Sequence, residues 1–332
     1  MSSKIYHFIK RYWHLPVYTA FIAVYIVLFL PGLAEALVFP DLLIAPIMAF
    51  GSFVAGSTFL GGGAVAFPAM TKILMAPPLV AKQFSLAIQS VGMVSASIFI
   101  IRKLPDTPWR IYAFYFPGAL VGMLLSLMLF QHQLAGADIK VGFTLFIMCF
   151  YVIFVYAKRN HSGGEHLDIG NHERWIFVIA GVIGGALSGL IGSGADLILF
   201  CLLNLYFRVE FKRATLLSVI AMAGTSLLGI GLIAIIEGVE PSVVRLWTVA
   251  APVVILGAPV GAWACLRLRE SVLFWFVTVL VFCEIISTLL LVNLDIAKIK
   301  YFIILTALSF IVFQRLLRQA SLRFGNRAEL EL

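Results

Sequence analysis

The chain has 332 residues, of which 62% are hydrophobic and only 12% charged, and its mean hydropathy is +1.04. Soluble domains average about 45–50% apolar and about 25% charged residues, so this composition excludes a soluble enzyme, a disordered chain and a disulfide-stapled secreted domain. The net charge of +8 has no basic soluble face to sit on, which argues against nucleic-acid binding; in so apolar a chain it reflects Lys and Arg kept on the cytoplasmic side of a membrane.

In chain order, residues 1–16 carry Lys4, Lys10 and Arg11, an apolar stretch runs from Val17 to Leu30, and Ala34-Glu35-Ala36 follows. This is the grammar of a signal anchor and also of a cleavable signal peptide. The anchor is the preferred reading because the rest of the chain inserts anyway, and both readings put residues 37–43 outside. Further apolar segments lie at 44–60, 63–76, 79–101, 111–131, 139–157, 175–191, 195–207, 213–236, 243–266, 272–293 and 300–314. Crossing the hydrocarbon takes about 20 apolar residues, so 44–60, 63–76, 175–191 and 195–207 are too short. They form two pairs, each interrupted by a glycine cluster. A pair is either one long broken span or a hairpin that enters and returns. Returning hairpins send about three quarters of the 24 Lys and Arg residues to one side, and single crossings sort them less well, so the positive-inside rule favours the hairpins.

The two pairs open matching blocks. The first reads Gly51-x4-Gly56-x4-Gly61-Gly62-Gly63-Ala64, and the second Gly184-x4-Gly189-x2-Gly192-Ser193-Gly194-Ala195. Ala81-x3-Ser85 then matches Ala214-x3-Ser218, and Gly118-x3-Gly122 matches Gly257-x3-Gly261. A hairpin plus three spans has odd parity, so the second block is expected to be inverted relative to the first. Inverted repeats with broken helices typify secondary transporters, whose sites lie near the bilayer midplane. Gly51, Gly184, Gly118/Gly122 and Gly257/Gly261 read as close helix packing. Three consecutive glycines at 61–63 read instead as an unwound segment, tolerated in a membrane only where it lines a cavity.

The expected architecture is therefore an all-α polytopic membrane protein. Two inverted repeats, each a glycine-broken re-entrant hairpin plus three transmembrane helices, are flanked by extra N- and C-terminal transmembrane helices. The divisions are 1–43 (cytoplasmic N-terminus and anchor), 44–157 (repeat 1), 158–174 (cytoplasmic loop), 175–293 (repeat 2) and 294–332 (C-terminal helix and basic cytoplasmic tail). Glycine-rich blocks that each open a repeat, with Gly56, Gly61, Gly62, Gly63 and Pro68 in the first and the paired Ala81/Ser85 and Ala214/Ser218, resemble the sulfite exporter TauE/SafE family over about residues 44–292. The second block departs from that pattern at Ser193 and Asp196. The resemblance implies export of sulfite, sulfonates and related small organic anions in a bacterial inner membrane, and the positive-inside count puts both termini in the cytoplasm.

Helix starts expose unpaired N–H groups and about half a positive charge, and glycines let an anion approach them. The expected substrate site therefore comprises Gly61, Gly62, Gly63, Gly192, Ser193 and Gly194, with Ser85, Gln89, Ser218 and Thr225 as side-chain donors. The plainer role for a membrane Ser or Thr is a bond to its own helix backbone. Lys82 and Gln83 read as boundary residues at a span end. Asp196 opens a helix beside the site, either as a dipole-stabilised helix start or as a proton-coupling acid. Glu284, mid-span, either pairs with a base, stays neutral or relays protons. Arg208, Glu210, Lys212 and Arg213 read as a solvated positive-inside loop at the inner mouth, with attraction of anions to the entrance as the alternative. The loop histidines His161, His166 and His172, with Asp168, match no metal motif. Cys149, Cys201, Cys265 and Cys283 read as small core residues, and Arg315, Arg318, Arg323 and Arg327 as a tail near anionic lipid. No metal and no cofactor is expected; the partners are a small anion and membrane lipid, with homo-oligomerisation left open. The chain has no P-loop. A membrane-embedded enzyme would need a nucleophile–base or metal constellation, which Asp196 and Glu284 alone do not make. An anion channel is the other alternative.

Overall fold

The computed structural model describes residues 41–130, 136–159 and 169–291, with Thr19 and Ala23 as isolated positions. The expected N-terminal anchor and the C-terminal helix with its tail lie outside the described residues, as do His161, His166 and Asp168. Those described are helical, with no strand among them: α1 (Ile44–Ser57), α2 (Gly63–Pro68), α3 (Pro78–Lys103), α4 (Trp109–Leu125), α5 (Gly136–Arg159), α6 (Asn171–Ile191), α7 (Ala195–Cys201), α8 (Phe211–Ile236), α9 (Pro241–Arg267) and α10 (Glu270–Leu291). Six of these, α3, α4, α6, α8, α9 and α10, are long and apolar enough to cross a membrane.

Helix ends follow local chemistry. Pro78 and Pro241 occupy the first turns of α3 and α9, where a fixed φ and a missing N–H cost nothing. α6 stops at Gly192, whose φ of +77° provides a left-handed cap. Its start differs from expectation. Asn171–Arg174, read as loop, already belong to α6, where Glu173 sits at the positive end of the helix dipole. That added turn gives α6 a spanning length, whereas its counterpart α1 has 14 residues.

A single offset relates much of the two blocks in structure, although the glycine clusters and the Gly118/Gly122 and Gly257/Gly261 pairs depart from it. It carries Gly51 to Gly184, Pro78 to Phe211, Ser85 to Ser218 and Lys103 to Ile236, so α3 and α8 are both 26 residues long. It also carries the ends of the short helices onto each other. α2 and α7 both widen into a π-type turn, at Ala69–Ile73 and Leu202–Tyr206. Both then pass through a non-glycine residue of positive φ, Met75 at 52° and Arg208 at 53°. Each turn closes with a matching backbone bond, Ala76 N to Met70 O at 2.8 Å and Val209 N to Leu203 O at 2.9 Å.

The blocks interlock. α1 packs along α9 and α4 along α6, both through glycines set directly on carbonyl oxygens. Gly56 faces Ala258 O, and Gly261 faces Phe53 O. Gly118 and Gly122 face the carbonyls of Val178 and Val182, and Gly181 and Gly185 those of Tyr115 and Ala119. A Cβ at any of these positions would collide with backbone, as in the small-residue interfaces typical of membrane helices. The packing role expected of Gly118, Gly122, Gly257 and Gly261 is the one they perform. In both pairs residue numbers rise together, so α1 runs parallel to α9 and α4 parallel to α6. α3 and α8 pack together in the centre and run antiparallel. Gln83, at the start of α3, meets Gly238 and Glu240 just past the end of α8, and Arg213, at the start of α8, meets Asp106 just past the end of α3.

Lys72, inside the short apolar segment 63–76, is buried in the turn after α2. Cys265 is a core residue as expected, but Cys283 is exposed, because α10 lies at the edge of the bundle.

Candidate functional site

The first break follows α1, whose end is turned by Thr58: its N–H and its hydroxyl both donate to Val54 O, at 2.9 Å each. The chain then runs through Phe59 and Leu60 to Gly61, at φ +66°, and re-enters helix at Gly63. In the second break Gly192 and Gly194 have φ of +77° and +128°. These three positions need glycine because a Cβ is strained there.

The two breaks touch. Gly61 lies against the Asp196 carboxylate, Gly63 against the Ser193 side chain, Gly192 against Ser85 and the backbone of Lys82, and Gly62 against the side chain of Gln89. Phe59 stacks on Phe200 of α7, ring centroids 4.1 Å apart, which fixes the first break to the second block. The backbone freed at the second break finds partners on neighbouring helices, as it must in a membrane interior. Ser85 Oγ and Gln89 Nε2 both donate to Gly192 O, at 3.0 and 2.8 Å, and Gln89 Nε2 also donates to Ser85 Oγ at 2.9 Å. Tyr115 of α4 donates to Ala195 O at 2.8 Å, and Ser188 Oγ accepts from Ala195 N at 3.2 Å. Asp196, 1% exposed, accepts from Leu197 N at 3.0 Å through Oδ1.

Two buried polar atoms here have no hydrogen-bond partner among the described residues: Gln89 Oε1 and Ser193 Oγ. Buried polar groups are normally paired, so these are the site's unspent valences. Gln89 and Gly62 also line a small crevice. Its remaining walls come from Met48, Gly51, Ser52, Ala55, Ile88, Met93 and Val254.

The expected residues therefore divide. Gly61, Gly62, Gly63, Ser85, Gln89, Gly192, Ser193, Gly194 and Asp196 are assembled in one place. Ser218 instead donates to Thr215 O of its own helix at 2.8 Å, the plainer role of a membrane serine. Thr225 is buried in α8, its hydroxyl without a partner among the described residues. Glu284 is held by a separate network. Lys72 Nζ donates to Glu284 Oε1 at 2.7 Å and to Ser287 and Thr288 Oγ atoms at 2.8 Å each, and Thr144 of α5 donates to the same Glu284 oxygen at 2.8 Å. Of the alternatives for Glu284, pairing with a base is the observed one. Tyr115, Ser188 and Lys72 were missed as contributors. Only Lys72 carried a signal: a lone cation in an apolar run, with a lone acid at Glu284 to match.

Broken helices gathered inside a bundle of apolar spanning helices define a polytopic integral membrane protein. The sulfite exporter TauE/SafE family matches residues 43–288, and the chain belongs to that family, one of membrane transporters rather than enzymes. No curated protein and no solved structure gives a significant match.

Proposed function

We propose that the chain is a secondary transporter that exports small anions of the sulfite or organosulfonate kind, and that the anion binds midway through the membrane where α2 and α7 begin. The observation that carries this reading is the apposition of the two breaks beside buried, unpartnered Gln89 Oε1 and Ser193 Oγ. Helix starts and hydroxyls bind an anion without a fixed cation in the site, which suits a cargo that must also leave. The antiparallel α3 and α8, and the parallel pairs α1/α9 and α4/α6, support inverted repeats. In that arrangement the α3–α4 connection faces the cytoplasm and the α4–α5 connection faces outward, in a bacterial inner membrane. Cysteine labelling at positions 103 and 134 should give opposite sides.

Asp196 already places a carboxylate against Gly61 and the start of α7. A second anion beside it is repelled, so proton uptake by Asp196 makes room electrostatically and couples export to the proton gradient. Glu284 supports this by anchoring Lys72 at the far end of the α2 segment. The test is flux in proteoliposomes with sulfite, organosulfonates and carboxylates, with and without a pH gradient. Wild type should move sulfite or sulfonates, and a flat response to every anion overturns the reading. Asp196→Asn should flatten the pH dependence of flux; an unchanged pH profile removes the coupling role.

A further inference from the structure

The starts of α3 and α8 are equivalent positions held in different ways. At α8, Arg213 donates to Asp106 O at 3.4 Å in an exposed position. At α3 the closure is half-buried, with Gln83 itself buried. Gln83 donates from Nε2 to Gly238 O at 3.4 Å and accepts from Glu240 N at 3.0 Å, clasping the α8–α9 connection from both sides. Beside it the Lys82 ammonium, 3% exposed, stands 4.0 Å from Glu237 Oε2, at the outer limit of an ion pair. The same Lys82 borders the second break. Its Cα and carbonyl oxygen lie against Gly192, and Ser85 and Gln89, one and two turns on, hold the Gly192 carbonyl. A lysine head group is a compact charge on a flexible four-carbon stem, so one residue joins the closure to the break.

We propose that Lys82 is a switching counter-ion for the transported anion. It draws the α8–α9 connection shut through Glu237 while the site is empty, and it exchanges Glu237 for the anion as that connection opens. Carboxylate and cargo compete for one ammonium, so closure and occupancy oppose each other, and differential binding of this kind is what lets a ligand shift a conformational equilibrium. The equivalent residue of α8 is Thr215, whose hydroxyl is bonded to Phe211 O at 2.9 Å; the device exists at one end. The proposal rests on the anion-transport reading above.

The experiment measures sulfite and methanesulfonate flux by wild type, Lys82→Arg, Lys82→Met, Glu237→Gln and the double variant Lys82→Met/Glu237→Gln. Lys82→Met should raise the half-saturating concentration by about tenfold or more, Lys82→Arg, which keeps the charge, should raise it less, and Glu237→Gln should lower it by removing the competing carboxylate. The double variant, which buries no unpaired charge and so guards against a folding failure, should behave like Lys82→Met. Wild-type half-saturation in Lys82→Met, or full rescue in the double variant, overturns the proposal by showing a purely structural pair. Absence of anion flux in wild type overturns the transport reading, and this proposal with it.

Discussion

The two breaks meet face to face, yet they are made of different material. The first offers bare backbone at Gly61, Gly62 and Gly63, whereas the second offers a hydroxyl and a carboxylate at Ser193 and Asp196, and these side chains fill the room that the glycines leave. The triplet is therefore not simply an unwound stretch. Gly61 alone has a positive φ, and Gly62 is already helical, at φ −68° and ψ −24°. Gly62 and Gly63 are glycine for space, Gly61 for space and conformation. One half of the molecule supplies the concavity and the other the chemistry.

The sharpest way to break this comparison lies at the far ends of the short helices. Lys72 closes the first segment with a buried ion pair, whereas the equivalent residue of the second is the apolar Leu205. Removing one member of a buried pair strands the other and costs about 3–5 kcal/mol. Lys72→Met should lower thermal stability in detergent accordingly, Lys72→Met/Glu284→Gln should recover most of the loss, and Leu205→Met should have little effect. At the contact itself, Gly63→Ala should drive a methyl into Ser193, at about 1–3 kcal/mol for overpacking, with loss of flux. Ser193→Gly in the same chain should restore stability, because Gly63 has no conformational need for glycine. Gly61→Ala should not be rescued by any change at Asp196, since its φ of +66° stays strained. The smallest expected difference is between the paired serines. Ser85→Ala removes a donor to the Gly192 carbonyl and an acceptor for Gln89, and should cost about 1–3 kcal/mol. Ser218→Ala loses only a bond within its own helix and should cost less. Equal effects would mean that the two halves contribute alike.

Much of this was legible in the residues. Hydropathy located the helices because a membrane core enforces apolar length, and glycine spacing located the two breaks because glycine alone accepts the positive φ and close approach found there. The start of α6 was misplaced because Asn171, His172, Glu173 and Arg174 are polar, and polarity marks a helix leaving the membrane as readily as a loop. The site was legible only in outline. That Gly61 would face Asp196, or that Tyr115 would reach Ala195, depends on the packing of residues far apart in sequence, which no local pattern encodes. Ser85 and Ser218 look identical in sequence. Only the partner each finds, a break carbonyl or its own helix, separates them.

The crossed pairing of helices bears on how the chain is made. α1 rests its glycine face on α9, which is synthesised only after two thirds of the protein has emerged, whereas α4 finds α6 soon after it inserts. Contacts between segments distant along the chain slow folding, and a face awaiting its partner is exposed to wrong ones. The α4–α6 pair is thus placed to form an early scaffold. The first break follows α1, and α1 is seated only when α9 arrives. A truncated product lacking α9 would therefore leave the glycine face of α1 without its partner.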